Sequence, residues 1–101
     1  MSTTLDVVFQ HRATRDIEEI NAWWRANREA APDLFLFELR ATLSIAALSP
    51  TLGAPARDMR LLGIRRLILQ RTRYHVYYRV AGQVLEVLAV WHAVRGSGPG
   101  L

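Results

Sequence analysis

Leu5, Val7 and Phe9 alternate with Asp6, Val8 and Gln10, a period of two that predicts a short first strand ending near His11. From Ala13 the period lengthens. Ala13, Ile17, Ile20 and Trp24 recur at intervals of four, three and four, which predicts an amphipathic helix reaching about Glu29. Ala30, Ala31 and Pro32 form a joint, because proline disfavours a helical conformation at Ala31 and Asp33 is suited to cap a second helix. Phe35, Leu36, Leu39, Leu43 and Ala46 or Ala47 give the stripe of that helix, stopped by Ser49 and Pro50. Two helices joined this closely form an antiparallel hairpin.

Residues 49–63 hold two prolines and two glycines in a broken apolar pattern and read as a loop. Three strand-like runs come next, at 64–70, 73–80 and 84–92, rich in Val, Ile, Leu, Tyr and Trp. Arg71-Thr72 and Ala81-Gly82-Gln83 leave room only for tight turns, so these runs form an antiparallel meander. The expected architecture is α+β, a βααβββ chain with the helical hairpin packed on one face of a small, mainly antiparallel sheet. One domain over residues 1–95 and a flexible tail at 96–101 are expected.

The last strand is apolar on both parities. Leu85, Val87, Ala89 and Trp91 fall on one face, and Val84, Leu88 and Val90 on the other. Two helices cover one face only, so the second is expected to be an exposed apolar patch that meets a partner, in preference to one covered by residues 49–63.

With 101 residues, half of them hydrophobic, the chain is long enough for one core. It holds no cysteine, which excludes a disulfide scaffold, a zinc ribbon and a thiol nucleophile. No run has the ~18 apolar residues of a membrane span, and Met1 to Asp6 lacks the features of a signal peptide. The expected location is the cytoplasm, away from membranes.

The charge is unevenly placed. All 13 Lys+Arg positions are arginine; five fall among residues 1–50 against seven acids, and eight among residues 51–101 against Asp58 and Glu86. Such asymmetry points the second half towards a polyanion or an acidic protein segment. His75 and His92 have no acidic partner at ligand spacing, so no metal site is expected. No cofactor fingerprint, phosphate loop or nucleophile elbow is present either. Asp16, Glu18 and Glu19 are best read as offsetting the macrodipole at the helix start. Of the adjacent tryptophans, Trp24 fits the buried stripe and Trp23 does not.

Five short motifs in order resemble the RelE/ParE toxin superfamily across nearly the whole chain: Ala13, Asp16, Ile17 and Ile20; Pro50 and Gly53; Gly63, Arg65 and Arg66; Val76, Tyr78, Arg79 and Val80; Val90 and His92. The resemblance implies a bacterial type II toxin–antitoxin system of the plasmid stabilisation type, in which a protein antitoxin wraps and neutralises the toxin. It also implies the same βααβββ fold. Trp23, Leu88 and Val90 are the residues expected to meet the antitoxin.

Two activities occur in that superfamily. RelE-like members cleave messenger RNA on the ribosome with a basic cluster and a tyrosine near the C-terminus; here Arg66 and Arg95 match, Ile68 replaces a second base, no tyrosine occurs after Tyr78, and His75 stands on the middle strand. This alternative implies a catalytic set of Arg66, His75 and Arg95, with His75 as base. ParE-like members resemble the chain more closely at Tyr78-Arg79-Val80 and Val90-x-His92. They poison DNA gyrase, with no hydrolytic chemistry of their own. On that reading Arg65, Arg66, Arg73, Arg79 and Arg95 contact gyrase, alone or on DNA, where arginines neutralise phosphates.

Overall fold

A computed structural model of the chain describes residues 4–57 and 61–92. The alternating start forms β1 (Asp6–Phe9), and a single residue, Gln10, separates it from α1 (His11–Asn27). The 17-residue helix buries Ala13 and Trp24. The joint at 28–33 leads into α2 (Leu34–Leu48), whose buried residues are Phe35, Leu39, Leu43, Ala46 and Ala47. Arg25 at the end of α1 pairs with Asp33 at 2.7 Å, and Leu5 donates its N–H to the Ala47 carbonyl at 3.0 Å. The first contact bridges the joint between the helices, and the second ties the end of α2 to the residue before β1. Asp33 occupies the N-cap position of α2, but its side chain makes no cap bond; the carboxylate is taken by Arg25.

The predicted loop contains a further strand, β2 (Ala54–Pro55), which pairs antiparallel with β3 (Arg65–Ile68). β4 (Tyr74–Ala81) and β5 (Val84–His92) complete a five-stranded sheet of order β1-β5-β4-β3-β2. β1 runs parallel to β5, and every other pairing is antiparallel. The architecture is therefore α+β, with one edge strand more than the sequence predicts. A two-residue strand containing a proline carries no alternation to detect. Gly82, with φ +60°, takes the first central position of the two-residue turn between β4 and β5, where a side chain would be strained.

The register of β4 on β5 shifts once. Tyr77 is opposite Ala89 and Tyr78 opposite Val87, so Leu88 has no partner and forms a bulge. Beyond it the parity of β5 reverses. Leu85, Val87 and Val90 belong to the core beneath the helices, together with Tyr74, Val76 and Tyr78 of β4. Leu88 and Ala89 turn to the other face, where they form a second core with Tyr77, Ala56 and Ile64, flanked by Trp91. The expected grouping of Ala89 and Trp91 with Leu85, and of Val90 with Leu88, is overturned by this one extra residue. So is the open second face: Leu88 and Ala89 are buried, and Ala56 and Ile64 from around the loop pack there.

Candidate functional site

Side chains on alternate residues of β3 and β4 reach the second face of the sheet. Tyr77 belongs to the second core, so His75 and Arg79 share its side of β4, and Arg66, opposite Tyr77 in register, shares it on β3. His75 and Tyr77 meet edge to face at 6.4 Å between ring centroids. Burial, then the nearby Arg66 guanidinium and the charge of His92, hold the His75 imidazole below its ordinary value. Arg79 donates from Nε to Glu86 Oε1 at 2.7 Å across the β4–β5 ladder. That bond is the main reason the Glu86 carboxyl lies below its usual range, with a further bond from Gln10 assisting.

The arginines selected from the sequence do not converge on one surface. Arg66 and Arg79 share the second face. Arg65 points the other way, and its guanidinium donates to the Gly53 carbonyl at 2.6 Å, which makes it part of the scaffold. Arg73 lies in the β3–β4 turn with φ +68°, a left-handed conformation that arginine rarely adopts. Arg95 lies outside the described residues, as does the tail at 96–101. Of the set Arg66, His75 and Arg95, the first two are therefore brought together.

The three residues expected to meet an antitoxin separate in the same way. Trp23 is 45% exposed. Leu88 and Val90 are both buried: the bulge turns Val90 into the helix-facing core, while Leu88, on the second face as expected, is packed there with Ala56, Ile64 and Tyr77.

A groove of about 740 Å³ opens between α1 and the β3–β4 turn. Asp16, Glu19, Ile20, Trp23, Trp24 and Arg28 form its helical wall, and the opposite wall runs from Arg71 to Tyr74 with Val90 and His92 of β5. The Arg28 guanidinium carbon stands 5.0 Å from the Trp23 ring centre and 5.6 Å from that of Trp24, within cation–π range. The buried Trp24 Nε1 has no hydrogen-bond partner.

Two carboxylates that the sequence does not single out for these roles fix the groove's walls. Glu38 of α2 accepts from the Arg71 N–H, the Thr72 N–H and the Thr72 hydroxyl at 2.8, 3.0 and 2.7 Å. Asp16 accepts from the Val90 N–H at 3.0 Å, two residues beyond the bulge. The first turn of α1 contains no acid. Asp16 therefore locks helix to strand, and the macrodipole reading does not hold for it. An isolated Glu on an amphipathic helix gives no signal for a partner 34 residues away.

Among the described residues no cluster of His, Cys, Asp and Glu could hold a metal ion, and no helix is long and apolar enough to cross a membrane.

A family model described as ParE toxin of type II toxin-antitoxin system, parDE, matches residues 7–95. No curated protein sequence matches the chain. Among solved structures, the chromosomal ParDE system from P. aeruginosa is similar with a TM-score of 0.73 at 16% identity, over 90% of this chain and 98% of that one. The intact E. coli RelBE complex gives 0.59 at 19% identity, over 90% and 99%. The RelBE2 complex from Mycobacterium tuberculosis gives 0.55 at 22% identity, over 88% and 98%.

Proposed function

The chain belongs to the ParE toxin family of type II toxin–antitoxin systems, and from that premise we propose that it poisons DNA gyrase and stops replication. On this reading it acts in the cytoplasm as the toxin of a plasmid-stabilising pair, and a cognate protein antitoxin neutralises it.

The observation that supports this best is the state of the side chains on the second sheet face. Arg66, His75 and Arg79 frame Tyr77 as planar donors, a surface suited to carboxylates or phosphates. Cleavage of RNA by its own 2′-hydroxyl needs a base and an acid placed around one nucleotide. Among the described residues on this face the carboxylate, Glu86, is engaged by Arg79. The arrangement favours holding a partner over moving protons.

The test is to add the purified chain to gyrase and supercoiled plasmid and to measure trapped double-strand breaks. The expected result is dose-dependent trapping, reduced at least about tenfold by combined Arg66→Glu and Arg79→Glu, since each reverses a contact charge. Failure to trap or inhibit gyrase at any dose overturns the reading.

One observation favours a second reading, ribosome-dependent cleavage of messenger RNA. His75, held below its ordinary value beside Arg66, is neutral near pH 7, the state a general base must have. In cells induced to make the chain, uptake of labelled DNA and protein precursors separates the two. DNA synthesis falls first if gyrase is the target, and translation falls first if message is cut.

A further inference from the structure

α2 is apolar on two opposite sides. Of its 15 residues only Glu38 and Arg40 are charged, and Glu38 is engaged by Arg71 and Thr72. One side carries Phe35, Leu39, Leu43, Ala46 and Ala47 into the core. The other turns Phe37, Ile45 and Leu48 outwards, 67%, 55% and 63% exposed. A helix that is apolar all round is ordinarily covered all round.

Phe37, Ala41, Ile45 and Leu48 follow one another at intervals of four, four and three, so the outward residues form a single stripe. Its relief is uneven. Leu36, Phe37, Arg40, Ala41 and Ser44 line a hollow of about 510 Å³, with Asp33 at one end. Ile45 and Leu48 project one turn beyond Ala41 and Ser44. A hollow and the side chains to fill it therefore lie in line on one helix face, which is the condition for a surface to fit its own copy through a two-fold axis.

An axis between positions 42 and 43 sets Phe37 of each copy against Leu48 of the other and Arg40 against Ile45. Ala41 and Ser44 then meet at the crossing, where short side chains let two helices approach closely. The same arrangement keeps the two Arg40 residues five positions apart, about 7.5 Å of helical rise before the gap between the helices is added. Charge favours this occupant too. Arg40 is the one charged residue of the stripe, and the Asp33 carboxylate is held by Arg25, so a strongly acidic or basic segment would find little to pair with. The exposed side chains offer roughly 500 Å² a copy and about 1,000 Å² for a pair, the lower bound of a specific interface.

We propose that this stripe is a homodimer interface, in which α2 of two copies of the chain packs antiparallel about a two-fold axis. The second sheet face lies across the sheet from the helices, so the dimer leaves two sets of Arg66, His75 and Arg79 uncovered, facing away from each other. The proposal does not depend on gyrase being the target.

Sedimentation equilibrium of the full chain, free of antitoxin, tests it. A monomer–dimer equilibrium is expected with a dissociation constant on the order of 10–100 μM. It should tighten at high salt, which screens the repulsion between two copies of formal charge +4. Phe37→Asp combined with Leu48→Asp should weaken the dimer at least about 100-fold without loss of the helical circular dichroism signal. Leu62→Asp, at an apolar side chain 92% exposed elsewhere, should leave the dimer intact. Because the chain holds no cysteine, Ser44→Cys gives a single thiol beside the axis and should cross-link two copies through a short bis-maleimide, whereas Glu18→Cys on α1 should not. A chain that stays monomeric at about ten times the expected constant overturns the proposal. So does a dimer indifferent to the double substitution, or one cross-linked equally through Glu18→Cys. If the chain is monomeric throughout and the double substitution instead weakens binding of the antitoxin encoded beside it, the stripe belongs to that partner and the proposal fails.

Discussion

The Tyr78 hydroxyl accepts the Gly53 N–H at 3.0 Å while donating to the Pro50 carbonyl at 2.7 Å. One phenol on a central strand thus fixes both ends of the turn that leaves α2. The approach is close enough that a Cβ on Gly53 would lie 2.8 Å from Tyr78 Cε1 and 2.9 Å from the Arg66 carbonyl oxygen. Gly53→Ala is expected to destabilise the chain by about 2 kcal/mol through overpacking against backbone that cannot yield. Denaturant titration measures it.

Tyr78→Phe removes both bonds and leaves a buried N–H without a partner, at a cost of about 1–3 kcal/mol. Burial raises the phenol above its usual value of 10.0, so the folded state keeps its proton longer than the unfolded chain does. The resulting stabilisation is complete below pH 10 and is lost as pH rises through the folded value. The alkaline limb of the stability curve should therefore be shallower in Tyr78→Phe.

Glu38→Ala releases three donors of the β3–β4 turn. A loss of about 1–3 kcal/mol is expected, because the bonds are charge-assisted and Thr72 is buried. Hydrogen exchange should quicken at the Arg71 and Thr72 amides well before it does in the β4–β5 ladder. Uniform acceleration across the sheet would contradict a local role.

His75 sits below its ordinary value of 6.5 when folded. The unfolded chain then takes up a proton first as pH falls, so stability is greatest above pH 6.5 and declines below it. Arg66 and His92 are the charges that oppose protonation. Melting temperatures between about pH 5 and pH 8 should fall towards acid in the unaltered chain and flatten in His75→Asn.

Arg79 and Glu86 form a close pair, but the arginine side chain is 38% exposed. Solvent screening limits such a pair to about 1 kcal/mol or less, measured as the coupling in a double-mutant cycle with Arg79→Ala and Glu86→Ala. A larger coupling would mean that the second face is drier than its exposure indicates.

The two helices and four of the five strands are legible because each carries a clear period: Ala13 to Trp24 for α1, Phe35 to Ala47 for α2. The burial of Trp24 over Trp23 comes from the same stripe. The assignment of faces on β5 fails at Leu88, since alternation counts on an unbroken register and an apolar residue at the bulge, among apolar neighbours, leaves no mark. The pattern therefore selects Leu88 and Val90 as surface residues for the very property that makes them core. The groove is illegible for a different cause. Its two turn arginines lie 43 and 45 positions from Arg28, and nothing in a local pattern says that Glu38 and Asp16 pull those segments together.

The parallel pairing of β1 with β5 separates the two partners by nearly the whole described chain: Asp6 faces Val84 and Phe9 faces Val87. During synthesis, the first strand and the helix after it must wait, with their apolar faces uncovered, until β5 has emerged. Folding of the hairpin alone cannot close the core, because Trp24 and Ile20 pack with residues of β4 and β5. A ribosome that stalls before β5 therefore releases a chain that cannot assemble its groove or its second face. The groove and the second face thus come into being together, and only once translation of the sheet is complete.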